Sequence, residues 1–169
     1  MAPKVSIIVP LAGGPAQALR CFEGIAVQPD DPAHEIIVVD DASIGLEPLL
    51  SQLAGDVEVL RNERRLGLAS SARRGAEHAR GEVIVFIRDA AAPAAGWLAP
   101  LAAALGDPAV GFAASATVDA ADAADAPHSP VAAWSFAVRT ADFHATDSRI
   151  AGLPGLPGPL LAGALSLSL

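Results

Sequence analysis

Tyrosine is absent from this 169-residue sequence, and cysteine and methionine occur once each. The lone Cys21 excludes an internal disulfide and fits a reducing, cytoplasmic compartment. Its simplest reading is a small buried helix residue. Positive charge is the minority sign, 11 Lys and Arg against 19 Asp and Glu, for a net charge of −8. That balance argues against nucleic acid or an anionic membrane as a partner by bulk attraction, while leaving local basic clusters free to meet a phosphate. Acid is missing from the chain's end: no Asp or Glu follows Asp147 and no charge follows Arg149. The uncharged tail matches a membrane span in length alone, and Pro154, Pro157 and Pro159 break any continuous helix through it. No integral span is expected there. No signal-peptide pattern is seen, since MAPKVSIIVP runs straight into a strand. The histidines (His34, His78, His128, His144) show no metal-ligand spacing.

What is present is apolar and alternating. Hydrophobic residues make up 52% of the chain, enough to bury a core of one domain. Val83 to Ile87 is an unbroken β-branched run of the kind a sheet centre needs. Val5 to Val9, Glu35 to Val39 and Val57 to Leu60 read as further strands, and Val110 to Val118 as a fifth. Helices are expected from Pro15, over Leu46 to Leu53, over Leu68 to Ala79 and over Trp97 to Leu105. Strands separated by helices imply parallel pairing with right-handed crossovers. The expected class is α/β, a three-layer Rossmann-like fold with a mostly parallel central sheet. Val131 to Val138 suggests one more strand, antiparallel.

Chemistry in such sheets gathers beyond the carboxyl ends of the strands. Asp40-Asp41 closes the second strand, where adjacent carboxylates either hold a ribose, a base N–H or a cation, or belong to a loop that caps the next helix with Asp41 or Ser43. Arg88-Asp89 closes the central strand. Arg61 to Gly75 (RNERRLGLASSARRG) combines a basic loop with a helix start near Gly67. The helix start directs amide donors at the same sheet edge; the alternative is a solvated basic face.

Three of these stretches resemble inverting family 2 glycosyltransferases of the GT-A fold. Phe86, Asp89, Pro93, Gly96, Trp97 and Leu98 match F-L-D-D-D-x-x-P-x-x-G-W-L in register, with Arg88 and Ala90 in place of the flanking carboxylates. EIIVVDDAS (Glu35 to Ser43) resembles E-I-I-V-V-D-D-G-S, with Ala42 for the glycine. Arg61, Asn62, Gly67, Ala69, Arg73 and Gly75 match R-N-x-x-N-x-G-x-A-x-A-R-N-x-G, with Arg65 and Arg74 replacing asparagines. The resemblance implies a nucleotide edge formed by Pro10, Asp41, Arg73, Arg88 and Asp89. It also implies Mg²⁺ or Mn²⁺, with Asp89 the one motif carboxylate left to hold it. The P-T-Y-N that usually follows strand one is here Pro10-Leu11-Ala12-Gly13, so the aromatic ring near the base is missing. The E-D-x-D-L-x-L-R segment that often supplies the base has no acid here, which leaves Asp142, Asp147 or another chain.

The expected organisation is one domain over residues 1–169. Residues 1–118 are its nucleotide-binding half, 119–130 a mobile loop and 131–169 an acceptor-side remnant. The implied function is binding of a nucleotide-diphosphate sugar, with inverting transfer impaired by the missing carboxylates. Two other readings stand beside it: a non-catalytic module that binds a nucleotide sugar or a partner protein, and the N-terminal part of a larger transferase.

Overall fold

The computed structural model describes residues 2–115 and 135–144. In chain order the elements are β1 (Val5–Leu11), α1 (Pro15–Ala26), β2 (His34–Asp40), α2 (Glu47–Leu53), β3 (Glu58–Arg61), α3 (Leu68–Glu77), β4 (Val83–Ile87), α4 (Leu98–Ala104), β5 (Ala113–Ala114) and β6 (Ser135–Arg139). β1 is buried along its whole length. α1 begins with Pro15, whose missing N–H is no loss in a first turn, and turns Ala18, Cys21, Phe22 and Ile25 inward at helical spacing.

The strands form one sheet in the order β3-β2-β1-β4-β6-β5. β3, β2, β1 and β4 are mutually parallel, as the alternating pattern predicts. β6 runs antiparallel against β4, from Val83 opposite Arg139 to Ile87 opposite Ser135. The expected fifth strand is shorter in its described part, only Ala113–Ala114, and lies antiparallel on the outer side of β6. β6 already occupies the free edge of β4, so β5 has no parallel neighbour to join. The rest of that strand, the expected loop 119–130 and most of 131–169 lie outside the described residues.

Each face of the sheet buries its own core. Val5, Ile7, Val9, Leu11, Val85 and Ile87 meet α1, α2 and α4 on one side. Ile8, Ile37, Val39, Ile84 and Phe86 meet Ala72 and Ala76 of α3 together with Phe136, Val138 and Phe143 on the other. α3 lies so close that a Cβ on Gly75 would stand 2.5 Å from Ile8 Cγ2 and 3.0 Å from Val39 Cγ2. Only glycine permits that approach.

This layout sets the site. The crossover from β1 leads to β2, and the crossover from β3 returns to β4 on the far side of β1. β1 and β4 are therefore neighbours at the topological switch point, beside which ligands bind in sheets of this kind. At the opposite edge the strands are clamped together. Glu35 accepts hydrogen bonds from Ser6 Oγ and from Arg80, both backbone and guanidinium. Among the described residues, no helix is long and apolar enough to cross a membrane.

Candidate functional site

Asp41 sits directly beyond β2, buried, and both its oxygens are engaged. Oδ1 accepts from Asn62 Nδ2 and from the Leu66 N–H, each at 2.8 Å, and Oδ2 accepts from the Gly67 N–H at 2.9 Å. Burial alone would push its pKa up. The hydrogen bonds from Leu66, Asn62, Gly67 and Ser71 outweigh that and hold it below the ordinary carboxylate value. Gly67 precedes the first residue of α3 with φ +88°, a left-handed turn suited to glycine. Asp41 is thus the post around which the loop into α3 is wound.

The network runs on through Asn62, which is buried and donates also to Ser71 Oγ at 2.9 Å. Its own oxygen accepts from Arg74, which also reaches the Arg61 carbonyl at 2.8 Å. Arg73, the expected nucleotide contact, lies half-exposed with Nε 3.2 Å from Glu77 Oε1. The structure draws Arg74 into the site's framework and leaves Arg73 at its margin. The sequence carried that signal: Ser71 and Arg74 are one turn apart and share a side of α3. Arg64 and Arg65 are exposed on the loop that Asp41 holds.

The second half of the edge lies at the ends of β1 and β4. Pro10 is buried in β1 opposite Val39, and the Asp41 N–H donates to the Leu11 carbonyl at 3.3 Å. Asp89, only 1% exposed, reaches across from the end of β4, and its Oδ2 accepts from the Ala12 N–H at 2.9 Å and from the Gly13 N–H. Arg88 Nε lies 3.9 Å from Asp89 Oδ1, near enough for attraction and too far for a hydrogen bond. That nitrogen is buried without a hydrogen-bond acceptor among the described residues. The guanidinium side chain as a whole is one-third open, at 33%. Pro10, Asp41, Arg88 and Asp89 stand at the carboxyl ends of β1, β2 and β4, and Arg73 stands on α3 beside Glu77.

Neighbours complete the frame. Cys21 is buried, with Sγ directed at the Arg88 carbonyl 3.7 Å away. Burial, reinforced by the charge of Asp89, pushes its thiol up to about 12, which makes it inert at neutral pH. Neither Asp41 nor Ser43 caps α2, whose N-cap position is Leu46 with no side-chain cap hydrogen bond, and Asp40 is engaged elsewhere. Its Oδ1 accepts the Ser43 N–H at 2.8 Å, and its Oδ2 faces Arg61 Nε at 3.4 Å without an aligned hydrogen bond. Gln28 is buried and donates to the Gly24 and Ala94 carbonyls at 2.8 Å each. A groove of about 380 Å³ between α1 and α2 is lined by Pro15, Ala16, Leu19, Pro48 and Leu49 and contains none of the expected site residues.

The turn after Asp41 keeps its shape although its glycine is gone. Ala42 holds φ +52°, the left-handed region in which a Cβ costs roughly 1–2 kcal/mol. Ala42→Gly should therefore stabilise the protein by about 1 kcal/mol in chemical denaturation, by relieving that conformation. An unchanged or lower midpoint would mean that the turn is not held in this form.

A three-layer α/β fold built on this mainly parallel six-stranded sheet is of the GT-A type. The sequence model of glycosyl transferase family 2 matches residues 6–150, and the chain belongs to that family. N-acetylgalactosaminyltransferase 7 of Drosophila melanogaster is 41% identical over 109 residues, which cover 60% of this chain and 18% of that protein. A mannosyltransferase from Pyrobaculum calidifontis, solved with GDP-Man and Mn²⁺, superposes with a TM-score of 0.60 at 28% identity over 70% of this chain and 36% of its own. GalNAc-T7 solved with UDP, GalNAc and Mn²⁺ gives 0.52 at 28% identity over 60% of this chain and 21% of its own. The chain spans well under half the length of each.

A divalent cation of the kind those two structures hold meets a single motif carboxylate here, with a guanidinium beside it. Mg²⁺ or Mn²⁺ is commonly held by one or two carboxylates together with diphosphate oxygens and water. Asp89 has one oxygen committed to two backbone amides, Arg88 cannot act as a ligand, and Ala90 has no donor side chain. Among the described residues no group of three His, Cys, Asp or Glu stands ready to hold a metal.

Proposed function

We propose that this chain is the donor-side domain of a family 2 glycosyltransferase, that it takes a nucleotide-diphosphate sugar at the carboxyl edge of its sheet, and that inverting transfer through it is impaired. The observation that supports this most is Arg88: a guanidinium at the end of β4, beside the switch point, whose buried Nε lacks a hydrogen-bond acceptor among the described residues. A buried donor without a partner costs roughly 1–3 kcal/mol, and a diphosphate oxygen would supply one with charge assistance. The exposed Arg64 and Arg65 add positive charge to the rim. The impairment follows from the end of β4: Arg88 and Ala90 stand where the family resemblance places two of the motif carboxylates, and neither side chain can act as a carboxylate there.

The same deficit supports a second reading, a non-catalytic module that binds a nucleotide sugar or a partner protein for regulation. Isothermal titration with UDP-, GDP- and dTDP-sugars distinguishes these readings. Saturable heat from at least one donor is expected, weakened about tenfold or more in Arg88→Ala as a charge-assisted contact is lost. No binding of any nucleotide, with or without Mn²⁺, would remove the donor-site reading and leave the partner-binding module. Sustained sugar transfer by the isolated chain would remove the impairment.

A further inference from the structure

The carboxylate that resemblance casts as a metal ligand has other work in this chain. Asp89 is buried, and its Oδ2 accepts from the N–H groups of Ala12 and Gly13 on the β1–α1 loop. The approach depends on the absence of a side chain at Gly13, where a Cβ would stand 2.9 Å from that oxygen. Either side of Asp89 the chemistry is unsuited to a cation: Arg88 brings a fixed positive charge with Nε 3.9 Å from Oδ1, and Ala90 brings nothing. A divalent ion seated at Oδ1 would have to displace or overcome that guanidinium at close range.

We infer that Asp89 is a positioning residue that fastens the β1–α1 loop to the end of β4, and that this edge takes a nucleoside diphosphate without a divalent cation. The second clause rests on the donor-site reading above; the first stands without it. Arg88 then supplies the fixed counter-charge, and Asp89 sets the loop that forms the opposite wall.

Two experiments on the intact chain test it. In the first, UDP and GDP are titrated in EDTA and in excess Mn²⁺. Dissociation constants agreeing within about threefold are expected, a difference below 1 kcal/mol. Binding that appears only with Mn²⁺ would overturn the inference while upholding the donor site. Binding in neither condition would defeat the donor-site reading and, with it, the cation-free clause. In the second, Mn²⁺ alone is added to labelled protein and the Ala12, Gly13 and Ala90 amide resonances are followed. No saturable broadening is expected, and saturable broadening would overturn the inference whatever nucleotides do. Amide exchange in the variants then reads the positioning role directly. Asp89→Ala should speed exchange at Ala12 and Gly13 by about tenfold or more, as a charged acceptor is lost. Asp89→Asn, which keeps an acceptor oxygen, should restore much of the protection. Equal local exchange in wild type and Asp89→Ala would show that the loop does not depend on this carboxylate.

Discussion

Replacing Asp41 with alanine is expected to lower the free energy of unfolding by roughly 3–5 kcal/mol. The estimate comes from what the carboxylate holds. Three donors, Asn62 Nδ2 and the Leu66 and Gly67 N–H groups, converge on it at 2.8–2.9 Å. Removing it leaves all three in a partly closed space, each at a penalty of about 1–3 kcal/mol. Water reaching the loop recovers part of that, so the sum is not simply additive. For a chain of this size the change corresponds to a fall of about 10 °C in melting temperature.

Two further variants make the result specific. Asp41→Asn retains one acceptor but turns an NH₂ group toward a donor, so about half the loss is expected. Arg65→Ala lies on the same loop and is exposed, and should move stability by less than about 0.5 kcal/mol. The pH dependence has a definite sign. Asp41 titrates below its ordinary value in the folded protein, so its contribution is present above the unfolded value of 3.8 and is lost as pH falls through the lower folded one. Wild type and Asp41→Asn should therefore converge in acid. Parallel stability curves down to about pH 2 would show that Asp41 is not the loop's anchor.

How much of this was legible in the sequence depends on the kind of signal. Strand runs such as Val83 to Ile87 and the alternation of strand and helix dictate the parallel half of the sheet, because burial on both faces demands continuous apolar stretches. Residues that shape backbone were equally plain: Pro15 opens α1, Gly67 opens α3 and Gly75 lets α3 touch the sheet. Placement of side chains at the site was less so. Arg73 and Arg74 are adjacent and chemically identical, and only the seating of α3 decides that Arg74 faces Asn62 while Arg73 faces Glu77. Asp89 was visible as a strand-end acid, but its engagement with Ala12 and Gly13 joins positions more than seventy residues apart. No local pattern encodes that distance. Gln28 escaped for the same reason, since its partner Ala94 is remote in sequence.

The antiparallel strand β6 was the least determined part of the sheet, and one aromatic cluster secures it. Phe86 is fully buried in β4 and stacks on Phe136 of β6 with ring centroids 5.0 Å apart, while Phe143 closes on it at 5.6 Å. Phe86→Ala should cost roughly 3–5 kcal/mol, the transfer of a ring plus the cavity it leaves between strands that pair in register at this position. Phe112, 42% exposed at the far side of Phe136, should cost about 1 kcal/mol or less when truncated. A double-mutant cycle on Phe86 and Phe136 should return a coupling of about 0.5–1.5 kcal/mol beyond burial alone. The cooperativity of unfolding, followed by circular dichroism, carries the stronger information. If these rings bind residues 135–144 into the same core as 2–115, wild type unfolds in one transition and Phe86→Ala shifts its midpoint without splitting it. Because β4 also carries Arg88 and Asp89 at its end, loosening β6 should then weaken nucleotide binding only in proportion to the unfolded fraction. A split transition would make β6 a separately melting strand, and a midpoint unmoved by Phe86→Ala would mean that the aromatic layer does not hold the sheet together.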